Sequence, residues 1–202
     1  DGQFWLFEPK DAKQPLPVIV FLHGWSAMHP YTYNGWIRHI VRKGNIVIYP
    51  RWQKNLQTKP GSVTQNALSA THRALTKLDG KLHAKADTEK FAVAGVSMGG
   101  IIAANMASLR DTGLPPIKAL MIAQPGNTRK KPKGSLYGAR ITLRDISSIP
   151  KETLMLVLVN SEDAVAGKGD AKHIFKNAAN IAPENKNYVI IRSDRHGYPP
   201  LI

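Results

Sequence analysis

The stretch that most restricts the fold is Phe91-Ala92-Val93-Ala94-Gly95-Val96-Ser97-Met98-Gly99, followed by Gly100-Ile101-Ile102-Ala103-Ala104. An apolar, strand-like run enters a serine with glycine two residues away on either side, and a run of small, helix-compatible residues follows at once. A strand that turns straight into a helix leaves no room for side chains at the flanking positions, so glycine stands there. The serine is then forced out at the end of a sheet, with a helix N-terminus behind it. This is the arrangement of a nucleophile elbow, and the partial positive charge of the helix end suits an oxygen that gains negative charge.

The rest of the chain alternates in the same way. Strands are predicted over 3–7, 17–23, 45–50, 90–96, 117–123, 153–160 and 187–192. Several are continuous apolar runs, such as Val18-Ile19-Val20-Phe21-Leu22, as expected for strands buried on both faces of a parallel sheet. Helical spacing links Trp36, Ile37, Ile40 and Val41, and again Val63, Ala67, Ala70, Ala74 and Leu78 behind a Ser62 cap. Two further helices are predicted over 97–109 and 170–179, the second capped by Asp170, while 126–148 reads as basic, irregular loop. The pattern implies an α/β fold, a mostly parallel doubly wound sheet of about seven strands with helices on both faces. At 202 residues one domain over the whole chain is expected.

Composition removes some chemistries. The chain has no cysteine, which excludes disulfides, thiolate metal sites and a cysteine nucleophile. The histidines are scattered without ligand spacing, so no metal and no cofactor is expected. No apolar run is long enough to cross a bilayer. The net charge of +14 divides equally between the two halves, with one local cluster at Arg129-Lys130-Lys131-Pro132-Lys133. No nucleic-acid motif or aromatic platform accompanies it, so no specific nucleic acid is expected as a partner; a solvated basic surface attracted to anionic surfaces is. The chain begins at Asp1 without methionine and without a charged-then-apolar leader. Either a leader was removed, which fits a secreted or periplasmic protein, or the end was trimmed.

A serine hydroxyl is a weak nucleophile unless a base takes its proton and a third group orients that base. His39, His72, His83 and His173 fall on predicted helices or loops and read as surface groups; His29 lies in a loop, and His23 ends a strand. His196, in Asp194-Arg195-His196-Gly197-Tyr198, follows the last strand, where loop residues reach the carboxyl edge of a parallel sheet. The acid is expected at the end of the 153–160 strand. Asp163 is the candidate there, with Glu162 as the alternative; Asp194 lies too close in sequence to meet the imidazole well. The order Ser97, Asp163, His196 is that of a triad. Two amides should face the developing oxyanion. Met98 directly after the serine supplies one, and Trp25 in His23-Gly24-Trp25-Ser26 the other. Of the aromatics Trp25, Tyr31, Trp52 and Tyr198, one or two are expected to face substrate, with Trp25 and Tyr198 favoured.

These four segments in this order resemble the α/β-hydrolase superfamily. His23-Gly24-Trp25 is similar to its oxyanion loop, Gly95-Val96-Ser97-Met98-Gly99 to its elbow, Ser161-Glu162-Asp163-Ala164-Val165 to its acid loop and Arg195-His196-Gly197 to its histidine loop. Within it the chain resembles small lidless esterases of the dienelactone-hydrolase and polyester-hydrolase, cutinase-like groups. The resemblance implies a serine esterase working through an acyl-enzyme, with acyl transfer, amide cleavage or an inactive binding role as the alternatives. Two departures stand out: no closing helix follows His196, and only one strand precedes the oxyanion strand. No insertion is long enough for a full cap domain, so an open site suited to small, bulky or polymeric esters is expected.

Overall fold

The computed structural model describes residues 2–80, 82–126, 128 and 140–192. Its strands are β1 (Phe4–Phe7), β2 (Leu16–Leu22), β3 (Ile46–Pro50), β4 (Ala86–Val96), β5 (Ile117–Ala123), β6 (Leu154–Asn160) and β7 (Lys186–Ile191). Its α-helices are α1 (Asn34–Arg42), α2 (Val63–Leu78), α3 (Met98–Ser108) and α4 (Gly169–Asn177). The strands form one sheet in the order β1-β3-β2-β4-β5-β6-β7. Only β1 runs antiparallel; it pairs with β3 at the edge, and every other neighbouring pair is parallel. Among the described residues there is no cap domain.

Strand order places the crossover where β2 and β4 lie side by side with β3 and β5 outside them. In open parallel sheets, ligand clefts form at the carboxyl ends of strands around such a point. The central strands are apolar on both faces because both are covered. Val18, Val20, Leu22, Phe91, Val93, Leu120 and Ile122 pack with α2, α3 and α4 into one core. Phe21, Val47, Tyr49, Ala94 and Val96 pack with α1 into a second. Helix α3 is buried along its whole length, which is why Ile101, Ile102, Ala103, Ala104 and Met106 show no polar face.

Coverage on the α1 side is uneven. Over β6 and β7 no described helix lies on that face, and Leu154 and Val189 are 56% and 41% exposed.

Three local expectations are corrected. β4 starts at Ala86, four residues earlier than predicted, because Ala86 and Asp87 pair with Leu16 and Pro17 before the register shifts. The shift falls at Pro17, which has no amide hydrogen to offer a ladder. Ser62 does not cap α2; its hydroxyl donates to the Lys59 carbonyl at 2.9 Å. Asp170 does not cap α4 either. It lies in the first turn, and its buried carboxylate accepts from the Thr128 amide at 3.1 Å and from the Thr128 hydroxyl.

Candidate active site

Ser97 stands at the junction of β4 and α3 with φ 54° and ψ −120°. A non-glycine residue at positive φ stores roughly 1–3 kcal/mol of strain and persists only where its surroundings over-determine it. Here they do. The Ser97 amide donates to the Ala123 carbonyl at 2.9 Å, and the Ser97 carbonyl accepts from the Gly100 amide at 2.9 Å. The flanking glycines are steric necessities. A β-carbon on Gly95 would lie 2.2 Å from the Gly99 carbonyl oxygen, and one on Gly99 would lie 2.1 Å from that of Leu22.

The loop after β2 closes against this turn: a β-carbon on Gly24 would lie 3.5 Å from Cβ of Ser97 and 3.0 Å from the Tyr33 hydroxyl. Residues 24–27 form a tight turn, with the Ala27 amide donating to the Gly24 carbonyl at 3.2 Å and Ser26 at φ 68°. A positive φ at the third position of a closed turn marks type II geometry, with Trp25 at the second. The loop is held from several sides. The Gly24 amide donates to the Tyr33 hydroxyl (3.0 Å), the Ser26 amide to Oε1 of buried Gln53 (2.7 Å), and the Tyr49 hydroxyl to the Ala27 carbonyl (2.5 Å). Burial pushes both the Tyr33 and Tyr49 hydroxyls above their ordinary pKa, so both stay protonated and able to donate.

One amide in this turn is left over. Those of Gly24, Ser26 and Ala27 are engaged, whereas the Trp25 amide has no hydrogen-bond partner among the described residues. The Met98 amide opens α3 and so has no acceptor within its helix.

At the end of β6, Asp163 is 8% exposed, and its Oδ1 accepts from the amides of Val165 and Ala166, both at 2.9 Å. Glu162 beside it points out to solvent, where the Ser161 hydroxyl reaches its Oε1 at 3.1 Å. A buried carboxylate held by backbone amides has a fixed direction, which the exposed Glu162 lacks. The acid loop abuts the loop after β5: a β-carbon on Gly126 would lie 2.7 Å from Cβ of Ala166. The Gly126 amide in turn points at the Ser97 carbonyl at 3.4 Å.

The structure therefore brings Ser97, Met98, the Trp25 loop and Asp163 to one rim of the sheet. The matching family model, described as alpha/beta hydrolase fold, covers residues 19–166. The chain belongs to the α/β-hydrolase fold family. An esterase of Thermogutta terrifontis, solved with propionate bound, superposes with a TM-score of 0.70 at 16% identity, over 96% of this chain and 79% of that one. Est1E of Butyrivibrio proteoclasticus gives 0.66 at 16% identity, over 96% and 86%. A Klebsiella pneumoniae protein assigned as a dienelactone hydrolase gives 0.68 at 15% identity, over 98% and 82%. At such identities these likenesses speak for the fold. No curated protein matches the chain in sequence.

Within this α/β-hydrolase fold, His196, Tyr198 and Asp194 lie outside the described residues, as does the cluster at 129–133. Trp25 is half-buried, packed on the larger core with its ring 6.3 Å from that of Trp52. Trp52 is not a cleft residue: it is fully buried, with Nε1 donating to the His23 carbonyl at 3.2 Å. Tyr31 is 80% exposed. Among the histidines read as surface groups, His39 and His173 are exposed, but His72 and His83 are half-buried and engaged, the first with the Thr112 carbonyl (2.6 Å) and the second with Glu8 (2.8 Å). Sequence reasoning missed Tyr33 and Gln53. Neither carries a local signal, because each meets the Trp25 loop only through the fold. Among the described residues no group of acidic or histidine side chains could hold a metal, and no helix is long and apolar enough to cross a membrane.

Proposed function

We propose that this protein is a serine hydrolase that cleaves carboxylic esters through Ser97, His196 and Asp163. The observation that carries this reading is the strained backbone of Ser97, held beside the two uncommitted amides of Trp25 and Met98. Strain of this kind has no structural use in an ordinary strand-to-helix turn, whereas it is what presents a nucleophile next to oxyanion donors.

In this reading the Ser97 hydroxyl attacks the ester carbonyl while His196 takes its proton. Asp163, its Oδ1 committed to two amides, orients the imidazole and stabilises its charged form. The amides of Trp25 and Met98 hold the oxyanion of the tetrahedral intermediate. His196 then protonates the departing alcohol, and water releases the acyl group by the same route. Trp25 and Tyr198 flank the acyl group. The absence of a cap among the described residues favours an open cleft that admits bulky or polymeric esters as well as small ones. The propionate seen in the Thermogutta esterase suggests a short acyl chain as the first probe.

The test is hydrolysis of p-nitrophenyl propionate by the parent and by Ser97→Ala. Loss of turnover in a folded variant, with fluorophosphonate labelling of the parent at Ser97 alone, is expected. Hydrolysis at the parent rate in the variant overturns the reading.

A further inference from the structure

His23 is a buried, titratable side chain to which the mechanism above gives no part. It is wholly enclosed, stacked between the rings of Trp52 (centroids 4.5 Å apart, planes at 13°) and Tyr49 (5.3 Å, 17°). Its Nδ1 lies 2.7 Å from the Gly24 carbonyl oxygen, and its buried Nε2 has no hydrogen-bond partner among the described residues.

A carbonyl oxygen can only accept, so Nδ1 carries the hydrogen and Nε2 is the bare nitrogen. That tautomer leaves a buried acceptor unsatisfied, an arrangement that calls for a reason. The Gly24 carbonyl supplies one. It belongs to the same peptide unit as the Trp25 amide, and in a trans peptide C=O and N–H point in opposite directions. The carbonyl is gripped twice, by His23 Nδ1 at 2.7 Å and by the Ala27 amide at 3.2 Å. Fixing the carbonyl fixes the direction of the one amide in the turn that has no partner of its own.

We infer that His23 is a positioning residue that aims the Trp25 amide at the oxyanion by clamping the carbonyl of the same peptide. The inference rests on the hydrolytic reading above. The stacking rings hold the imidazole plane, and burial keeps the ring uncharged, with Arg51 adding to that effect. The clamp therefore remains a single fixed donor through the neutral range.

Two measurements test this. The first compares His23→Phe, which keeps a stacking ring and loses the donor, with His23→Asn, whose amide nitrogen falls near the Nδ1 position. With p-nitrophenyl propionate, His23→Phe is expected to keep its melting transition and KM while kcat falls about 10- to 100-fold, a part of what deleting an oxyanion donor costs. His23→Asn is expected to melt lower and yet turn over several-fold faster than His23→Phe. A residue that only fills space gives the reverse ranking, with activity following stability; that outcome, or a folded His23→Phe with parental kcat, overturns the inference. The second measurement is nitrogen-15 NMR of the unaltered protein, which does not depend on any variant folding. It should show His23 protonated at Nδ1 and bare at Nε2 at pH 7; the opposite tautomer or an imidazolium overturns the clamp. A parent protein without turnover removes the hydrolytic reading itself, whereas turnover at Ser97 with an unaffected His23→Phe removes only the role of His23.

Discussion

Gly99 and Leu22 approach so closely that a β-carbon on the former would sit 2.1 Å from the carbonyl oxygen of the latter. The contact joins the first turn of α3 to the end of β2, so the elbow and the Trp25 loop are set against each other by bare backbone. Because the listener on the other side is a strand carbonyl rather than a flexible side chain, it cannot move aside. Gly99→Ala is expected to destabilise the protein by more than about 3 kcal/mol, at the severe end of overpacking. Guanidinium unfolding monitored by tryptophan fluorescence checks this.

Ser97 invites the opposite experiment. Glycine adopts positive φ without the penalty that serine bears, so Ser97→Gly is expected to stabilise the fold by about 1 kcal/mol. For a chain of this size that raises Tm by roughly 2–4 °C. Ester hydrolysis should vanish in the same variant. Calorimetry beside an activity assay would show strain and catalysis separated at one residue.

Trp25 occupies the second position of a type II turn, where proline is welcome. Trp25→Pro should therefore fold while deleting one amide hydrogen. Against Trp25→Ala, which controls for the lost ring, kcat is expected to fall about 10²- to 10³-fold with KM little changed. Steady-state kinetics on the pair decides whether the amide or the indole matters.

The two adjacent acids differ in burial, and their variants should differ accordingly. Asp163→Asn is expected to reduce kcat by about 10³- to 10⁴-fold, as when a triad carboxylate is neutralised. Glu162→Gln, altering an exposed side chain, should leave kcat within about twofold and stability within about 0.5 kcal/mol. Parallel kinetics on both variants would tell the two apart.

Burial lowers the pKa of His23 from 6.5 to about 3. Between those values the unfolded chain carries a proton at this residue and the folded one does not. Stability therefore rises with pH across this window, and acidification below 6.5 erodes the contribution at up to about 1.4 kcal/mol per pH unit. Below the folded pKa the loss is complete. Urea unfolding of the parent and His23→Phe from pH 7 to pH 4 should show a shallower slope in the variant.

The sheet was largely legible in the sequence because its strands are apolar on both faces and are bounded by turn residues. β5, expected over 117–123, is observed as Ile117–Ala123. The early part of β4 was not legible, since Asp87-Thr88-Glu89-Lys90 is polar and exposed and only its pairing with β2 makes it strand. Ser97 and Trp25 stood out because tight backbone turns demand glycine nearby. Tyr33 and Gln53 did not, and neither did the stacking of His23, for the opposite reason: their partners come from other segments, and no spacing rule records a ring lying on Trp52. Asp170 shows the same limit. A carboxylate at a helix start reads as a cap, yet Thr128, more than forty residues away, claims it.

The flank of the sheet beyond α1 bears on how this molecule meets its surroundings. At Leu154 and Val189 the greasy groups stand in water, outside the jigsaw that holds the interior together. Threonine at those two places would keep the strands' preferred shape and leave no hole behind. Cohesion and stickiness are thus written at different addresses in this protein, and the second can be tuned without disturbing the first.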